Sequence, residues 1–150
     1  MQITFPRQHA AANDVAARLR LAITRTARRM RQEAGADLTP SQASALATIE
    51  RHGPLTPSEL AEIERVKRPT ATRVLRCLLD DGLVERQADP SDGRSALVSI
   101  SPRGRLLLQR LRSRKTAYLA KRLHDLDPDE LETLDRSAAI LERLLEDDRA

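Results

Sequence analysis

Apolar residues recur every three or four positions along most of this chain, the period of a helix with one buried face. Between about residues 9 and 34, Val15, Leu19, Ala22, Ile23, Thr26 and Met30 form such a stripe, which stops at Gly35. Later helix starts are marked by an oxygen-bearing residue followed by proline: Thr39-Pro40, Thr56-Pro57, Ser101-Pro102 and Asp127-Pro128. The oxygen caps orphan N–H groups, and proline at the first helical position loses nothing, because its missing N–H would be unpaired there. Gln42, Glu59 and Glu130 each follow their cap by three residues and complete capping boxes. Helix two is predicted over about Pro40 to Arg51, burying Ala43, Leu46, Ala47 and Ile49, with His52-Gly53-Pro54 ending it. Helix three, Pro57 to Glu64, offers Leu60, Ala61 and Ile63 as its apolar set. Helix four starts near Arg68-Pro69 and ends at Asp81-Gly82, with Ala71, Val74, Leu75, Leu78 and Leu79 on one face at about 100° per residue. Its opposite face shows Thr72, Arg73 and Arg76, with Lys67, Arg68 and Thr70 around the start. Joined by Arg65-Val66-Lys67, helices three and four read as a helix-turn-helix whose second helix is polar and basic.

The helical period gives way to two short apolar runs in one place. Leu83-Val84 and Leu97-Val98-Ser99-Ile100 flank a tip reading Asp89-Pro90-Ser91-Asp92-Gly93-Arg94, and Ser101-Pro102-Arg103-Gly104-Arg105 follows. This predicts a β-hairpin with an arginine-tipped loop directly behind the basic helix. Helix five, Pro102 to about Leu123, carries Leu107, Leu108, Leu111, Tyr118, Leu119 and Leu123, more apolar surface than a small three-helix core can cover. Helix six, Pro128 to about Glu146, spaces Leu131, Leu134, Ala138, Leu141 and Leu145 as a coiled-coil seam. Helices one, five and six therefore lack a partner within one chain, and a symmetric dimer built from the two chain ends supplies it. The fold class expected is mainly α with a small β-wing.

Composition narrows the functional classes. The 150 residues suit one domain. Formal charge is uneven: +3 over residues 1–50, +6 over 51–115 and −5 over 116–150, so the middle is the part suited to a polyanion. Arginine outnumbers lysine 23 to 3, which codon bias alone can produce, so placement rather than composition carries the inference. Cys77 is the only cysteine and excludes an intramolecular disulfide or a cysteine-built zinc site. It falls at the border of the buried face of helix four, where a thiol ordinarily just packs. His9, His52 and His124 show no paired metal-ligand spacing, and no cofactor is called for. Asp127, Asp129 and Glu130 occupy a helix cap and first turn, where negative charge stabilises the helix, so they do not form a catalytic acid pair. No set of nucleophile, base and orienting group emerges, and an enzyme is not expected. No apolar run approaches the roughly 20 residues that span a bilayer, and no secretory leader is recognisable at the start. A cytoplasmic protein without membrane contact is expected.

The long first helix, the helix-turn-helix, the Asp-Pro-x-Asp-x-Arg tip, the Ser-Pro-x-Gly-Arg sequence and the two long final helices resemble the MarR family of bacterial transcription regulators. The resemblance spans roughly residues 10–147 and is most specific over Asp89 to Arg105. It implies a single domain over 1–150, with dimerisation helices at 10–34 and 102–147 around a winged helix-turn-helix at 37–101. It implies a homodimer that binds a pseudo-palindromic operator in double-stranded DNA, most often as a repressor, and in many relatives releases it when a small molecule binds. Two positions depart from the pattern: Gly93 stands where many relatives have arginine, and Ser101 where threonine is common. A winged module that recruits another helical protein without specific DNA binding is the alternative; the basic helix and Arg94 argue against it.

The DNA-contacting residues expected are Ser58, Lys67, Arg68, Thr70, Thr72, Arg73, Arg76, Arg86, Asp92 and Arg94. On helix four, Thr70, Thr72, Arg73 and Arg76 face outward on a cylinder that fits a major groove, where arginine can bridge guanine N7 and O6. Lys67 and Arg68 suit phosphates together with the positive end of the helix. No acidic residue lies between Arg65 and Asp80 to make this an ordinary mixed-charge face. Arg94, on a narrow tip, can enter a minor groove, whose negative potential deepens as it narrows; by the resemblance, Asp92 holds it in place. Arg86 meets a phosphate or an acidic neighbour, Ser58 either a phosphate or solvent, and Arg103 and Arg105 flank the wing. The family's ligand crevice would fall between helices one, two and five, with Ile23, Leu46 and Leu107 as candidates.

Overall fold

The computed structural model describes residues 6–35, 37–94 and 96–147, with side chains from 10 to 146 apart from the two gaps. The side chain of His9 and the outermost residues of the expected 1–150 domain lie outside the described residues. The order is α1 (Pro6–Ala34), α2 (Pro40–His52), α3 (Pro57–Ile63), α4 (Arg68–Asp80), β1 (Val84–Ala88), β2 (Ala96–Ile100), α5 (Pro102–Leu123) and α6 (Pro128–Asp147). The mainly helical fold with one small antiparallel sheet is the class that the sequence predicts.

Local chemistry sets most boundaries. Thr39 and Thr56 accept from the N–H groups of Gln42 and Glu59, whose side chains accept in return from the cap N–H groups. Asp127 and Glu130 exchange the same pair of bonds at the start of α6, at 2.8 and 3.2 Å. Helix ends differ slightly from expectation. α1 begins earlier, at Pro6, and α3 stops at Ile63, because Arg65 turns left-handed (φ 52°) and its N–H returns to Glu62 at 3.1 Å. α4 ends in the same way on Gly82 (φ 67°), where a missing Cβ makes the conformation inexpensive.

The core gathers Leu46 and Ile49 of α2, Leu60 of α3, Leu75 and Leu78 of α4, Leu83, Val84, Val98 and Ile100 of the hairpin, and Leu108 of α5. On α2 the buried set is Ala45, Leu46 and Ile49; Ala43 and Ala47, expected inside, are half-buried because they face a crevice towards α1 and α5. Ile63 is 45% exposed, because at about 100° per residue it lies roughly 110° from the middle of the arc that Leu60 and Ala61 occupy. Leu55, which pattern reading passed over, pairs with Val98 through two backbone hydrogen bonds of 2.8 and 3.1 Å and fastens the hairpin to the α2–α3 connection.

α1 lies along α5. Arg114 of α5 donates to the Ala34 carbonyl at 2.9 Å and stands 3.6 Å from Asp37, while Arg112 pairs with Glu50 of α2 at 2.7 Å. α6 scarcely touches the rest of the chain. Val15, Leu19, Ile23, Leu131, Leu134 and Leu145 are 40–65% exposed, so the apolar stripes of the end helices are left open within one chain.

Candidate nucleic-acid interface

α4 is held by its buried Ala71, Leu75 and Leu78, which leaves Arg68, Arg73 and Arg76 in solvent on the far side. Among the described residues, none of Lys67, Arg68, Arg73 and Arg76 is paired with a carboxylate. Pro69, Thr72 and the three arginines outline one shallow hollow on this face. The Thr72 hydroxyl donates to the Arg68 carbonyl at 3.0 Å, and Thr70, expected outward, is half-buried. The N-cap of α4 is Lys67, whose side chain makes no capping bond, in contrast to the capped starts of α2, α3, α5 and α6. The positive end of this helix therefore carries added cationic charge rather than a neutralising oxygen.

The wing projects beside it. β1 and β2 pair antiparallel from Val84 with Ile100 to Ala88 with Ala96, and only Val84 of β1 is buried. Arg86 is exposed opposite Val98. The tip is shaped by two carboxylates. Asp89 Oδ1 accepts from the Ser91 hydroxyl at 2.7 Å and from its N–H at 2.9 Å, bonds that hold the Asp89 carboxyl below the ordinary aspartate range. Asp92 Oδ1 accepts from the Arg94 backbone N–H at 3.0 Å, so it fixes the backbone from which the exposed arginine projects. Ser58, in the first turn of α3, is half-buried, and Arg103 and Arg105 are exposed at the start of α5.

Two further sequence expectations are corrected. Cys77 is exposed, not packed: at about 100° per residue it lies roughly 40° from Arg73 and outside the arc of Ala71, Leu75 and Leu78. The crevice between α1, α2 and α5, about 330 Å³, is lined by Ala27, Met30, Arg31, Ala43, Ser44, Ala47, Leu111, Arg112 and Lys115 among others. Of the expected residues, Leu46 is fully buried in the core, Ile23 faces solvent and Leu107 packs towards the core, so none of them lines it. A third feature had no sequence signal: Glu64, at the end of α3, is hydrogen-bonded by the hydroxyls of both Ser44 and Thr48 of α2. Among the described residues, no three His, Cys, Asp or Glu side chains are grouped to hold a metal ion, and no helix is long and apolar enough to cross a membrane.

A helix-turn-helix followed by a hairpin wing, with exposed arginines on both, defines a winged-helix protein of the DNA-binding type. The sequence model of the MarR family matches residues 38–96, which run from just before α2 to the first residue of β2. An HTH-type transcriptional regulator of Mycobacterium bovis is 41% identical, covering 89% of this chain and 94% of that protein. A Pseudomonas aeruginosa protein described as a transcriptional regulator superposes with a TM-score of 0.81 at 36% identity, over 90% of this chain and 96% of that one. The fold is also that of a Staphylococcus aureus MepR mutant solved bound to an oligodeoxyribonucleotide, with a TM-score of 0.68 at 20% identity, over 87% of this chain and 97% of that one. The chain belongs to the MarR family of DNA-binding transcriptional regulators.

Proposed function

We propose that this protein is a homodimeric repressor that binds a pseudo-palindromic operator in double-stranded DNA and releases it when a small molecule binds. The observation that carries the reading is the unpaired arginine face of α4, with its uncapped cationic start, beside the arginine-tipped wing. In this reading Thr72, Arg73 and Arg76 meet base edges in the major groove, with Thr70 at the margin. Lys67, Arg68, Ser58 and Arg86 position the protein on phosphates. Arg94 enters the adjacent minor groove from a tip shaped by Asp92.

The open apolar stripes of α1 and α6 support a second copy as partner. α1 carries seven arginines against Asp14 and Glu33, while α6 carries seven acidic residues against Arg136 and Arg143, so two copies that cross their end helices bring opposite charges together. A two-fold dimer then presents its α4 helices to successive major grooves, about 34–36 Å apart. The crevice lies between the end helices and the winged lobe, so an occupant there alters the separation of the two lobes if it binds free and DNA-bound dimers unequally. A regulator that acts on operator DNA belongs in the cytoplasm, and that is the location we infer.

Binding of the purified chain to the DNA upstream of its own coding sequence, against a scrambled duplex at two salt concentrations and with mass read in parallel, tests this. Selective binding by a dimer is expected. Equal, weak binding to both duplexes, followed by failure to enrich any two-fold site from a random pool, would contradict it.

A further inference from the structure

The turn between α3 and α4 leads directly into the helix that carries the exposed arginines. It closes through the Arg65 N–H on the Glu62 carbonyl at 3.1 Å and the Val66 N–H on the Ala61 carbonyl at 3.0 Å. Arg65 thereby adopts φ 52°, a left-handed conformation that opposes the Cβ to the carbonyl and is ordinarily left to glycine. The residue immediately before it is tied from another helix: Glu64 Oε2 accepts from the Ser44 hydroxyl at 2.6 Å, and Oε1 accepts from the Thr48 hydroxyl. Ser44 and Thr48 stand one turn apart on α2, so the two bonds form a two-point clamp on the end of α3. Hydrogen bonds to a carboxylate are the stronger kind, and Glu64 is half-buried, which limits competition from water. Although Arg65, Lys67 and Arg68 lie close in sequence, none of them forms an ion pair with Glu64 among the described residues.

We propose that Glu64 is a positioning residue for DNA binding: clamped to α2, it holds the left-handed turn at Arg65 and so the aim of Arg73 and Arg76. The proposal rests on α4 being the DNA-contacting helix. The clamp also has a point of release. Ser44 lines the crevice between α1, α2 and α5, and its hydroxyl has a single proton to donate. An occupant bearing an acceptor oxygen competes with Glu64 for that proton and loosens one of the two ties, linking the crevice to the recognition helix through one hydrogen bond.

Amide hydrogen exchange over residues 62–70 of the full chain, read beside operator affinity and the thermal midpoint, tests the clamp. Ser44→Ala, Thr48→Val and Glu64→Gln should each speed exchange at Arg65 and Val66 and lower operator affinity about three- to ten-fold, with little change in the midpoint. Adding Glu64→Gln to the Ser44→Ala/Thr48→Val pair should cause no further loss, because the bonds are already gone. Ala47→Asn sets an acceptor in the crevice one turn from Ser44; it should loosen the turn in the native background and not in Ser44→Ala. Unchanged exchange in the turn, losses that multiply in the combined variant, or losses that merely follow thermal stability would overturn the clamp. A looser turn with full operator affinity would overturn its positioning role, and an Ala47→Asn effect that is independent of Ser44 would overturn the link to the crevice. If the native chain selects no DNA site, the DNA reading has failed by itself, and the exchange rates still decide whether the clamp holds the turn.

Discussion

The Leu83 carbonyl oxygen lies 2.1 Å from the point that a Cβ on Gly104 would occupy, so the entry to the wing and the start of α5 touch backbone to backbone. Ser101 stitches the same junction. It is 3% exposed, its hydroxyl donates to the Gly82 carbonyl at 2.7 Å and accepts from the Gly104 N–H at 3.0 Å, and its own N–H donates to the Leu83 carbonyl at 3.0 Å. The Ser-Pro-x-Gly-Arg sequence is thus the joint that fixes wing to scaffold. Gly104→Ala must push two backbone segments apart, and a loss of about 2–3 kcal/mol is expected, measured by urea unfolding. Stability within 0.5 kcal/mol of native, roughly the scatter of harmless surface changes, would show that the joint yields.

Gly93 presents the opposite case. Nothing lies within 4 Å of its missing Cβ, so the fold does not require glycine at the wing tip. Gly93→Arg should leave the unfolding midpoint unchanged, tighten DNA binding and steepen its salt dependence by about one phosphate-equivalent. A titration at several salt concentrations reads this directly, and an unchanged slope would place the tip away from the duplex.

Cys77 offers a native footprint. It is exposed on α4 and lies one turn beyond Arg73, so a bound duplex should cover it. Alkylation of the free chain with N-ethylmaleimide is expected to abolish operator binding, and prior addition of operator to slow the alkylation at least about ten-fold, as expected when only the free form reacts. Equal rates with and without DNA would mean that this side of α4 does not face the groove.

The left-handed Arg65 predicts a stabilising change. Arg65→Gly removes the conflict between Cβ and carbonyl and should raise stability by about 0.5–1 kcal/mol, seen as a higher thermal midpoint. A lower midpoint would show that the arginine side chain, exposed as it is, contributes more than its backbone costs.

What the sequence made legible was local. Thr39, Thr56, Ser101 and Asp127 cap their helices with bonds that reach only three residues ahead, so a single window of sequence contains the whole interaction. The wing was equally legible, because its turn residues and flanking apolar runs are contiguous. The illegible features need distant partners. The pairing of Leu55 with Val98 joins segments 43 positions apart and uses backbone groups that no side chain advertises. Glu64 looked like one more acidic residue at a helix end until α2 supplied two hydroxyls from 16 and 20 positions away. Cys77 departs from expectation because a small thiol fits either side of an amphipathic boundary, and it falls outside the arc occupied by Leu75 and Leu78. The crevice residues depart from expectation for a related reason: Leu46 is as apolar as a pocket wall, but its place in the core follows from α2 packing against α4 and β2.

Salt-dependent operator binding of Arg73→Ala beside Arg94→Ala decides whether α4 reads bases while the wing contributes charge. Arg73→Ala is expected to relax base preference at one position in each half-site, at a cost of about 1–3 kcal/mol. Arg94→Ala should weaken binding and flatten the salt slope by about one, with the preference of α4 for its bases retained. Native affinity, slope and sequence preference in both variants would contradict the assignment of these two arginines to DNA.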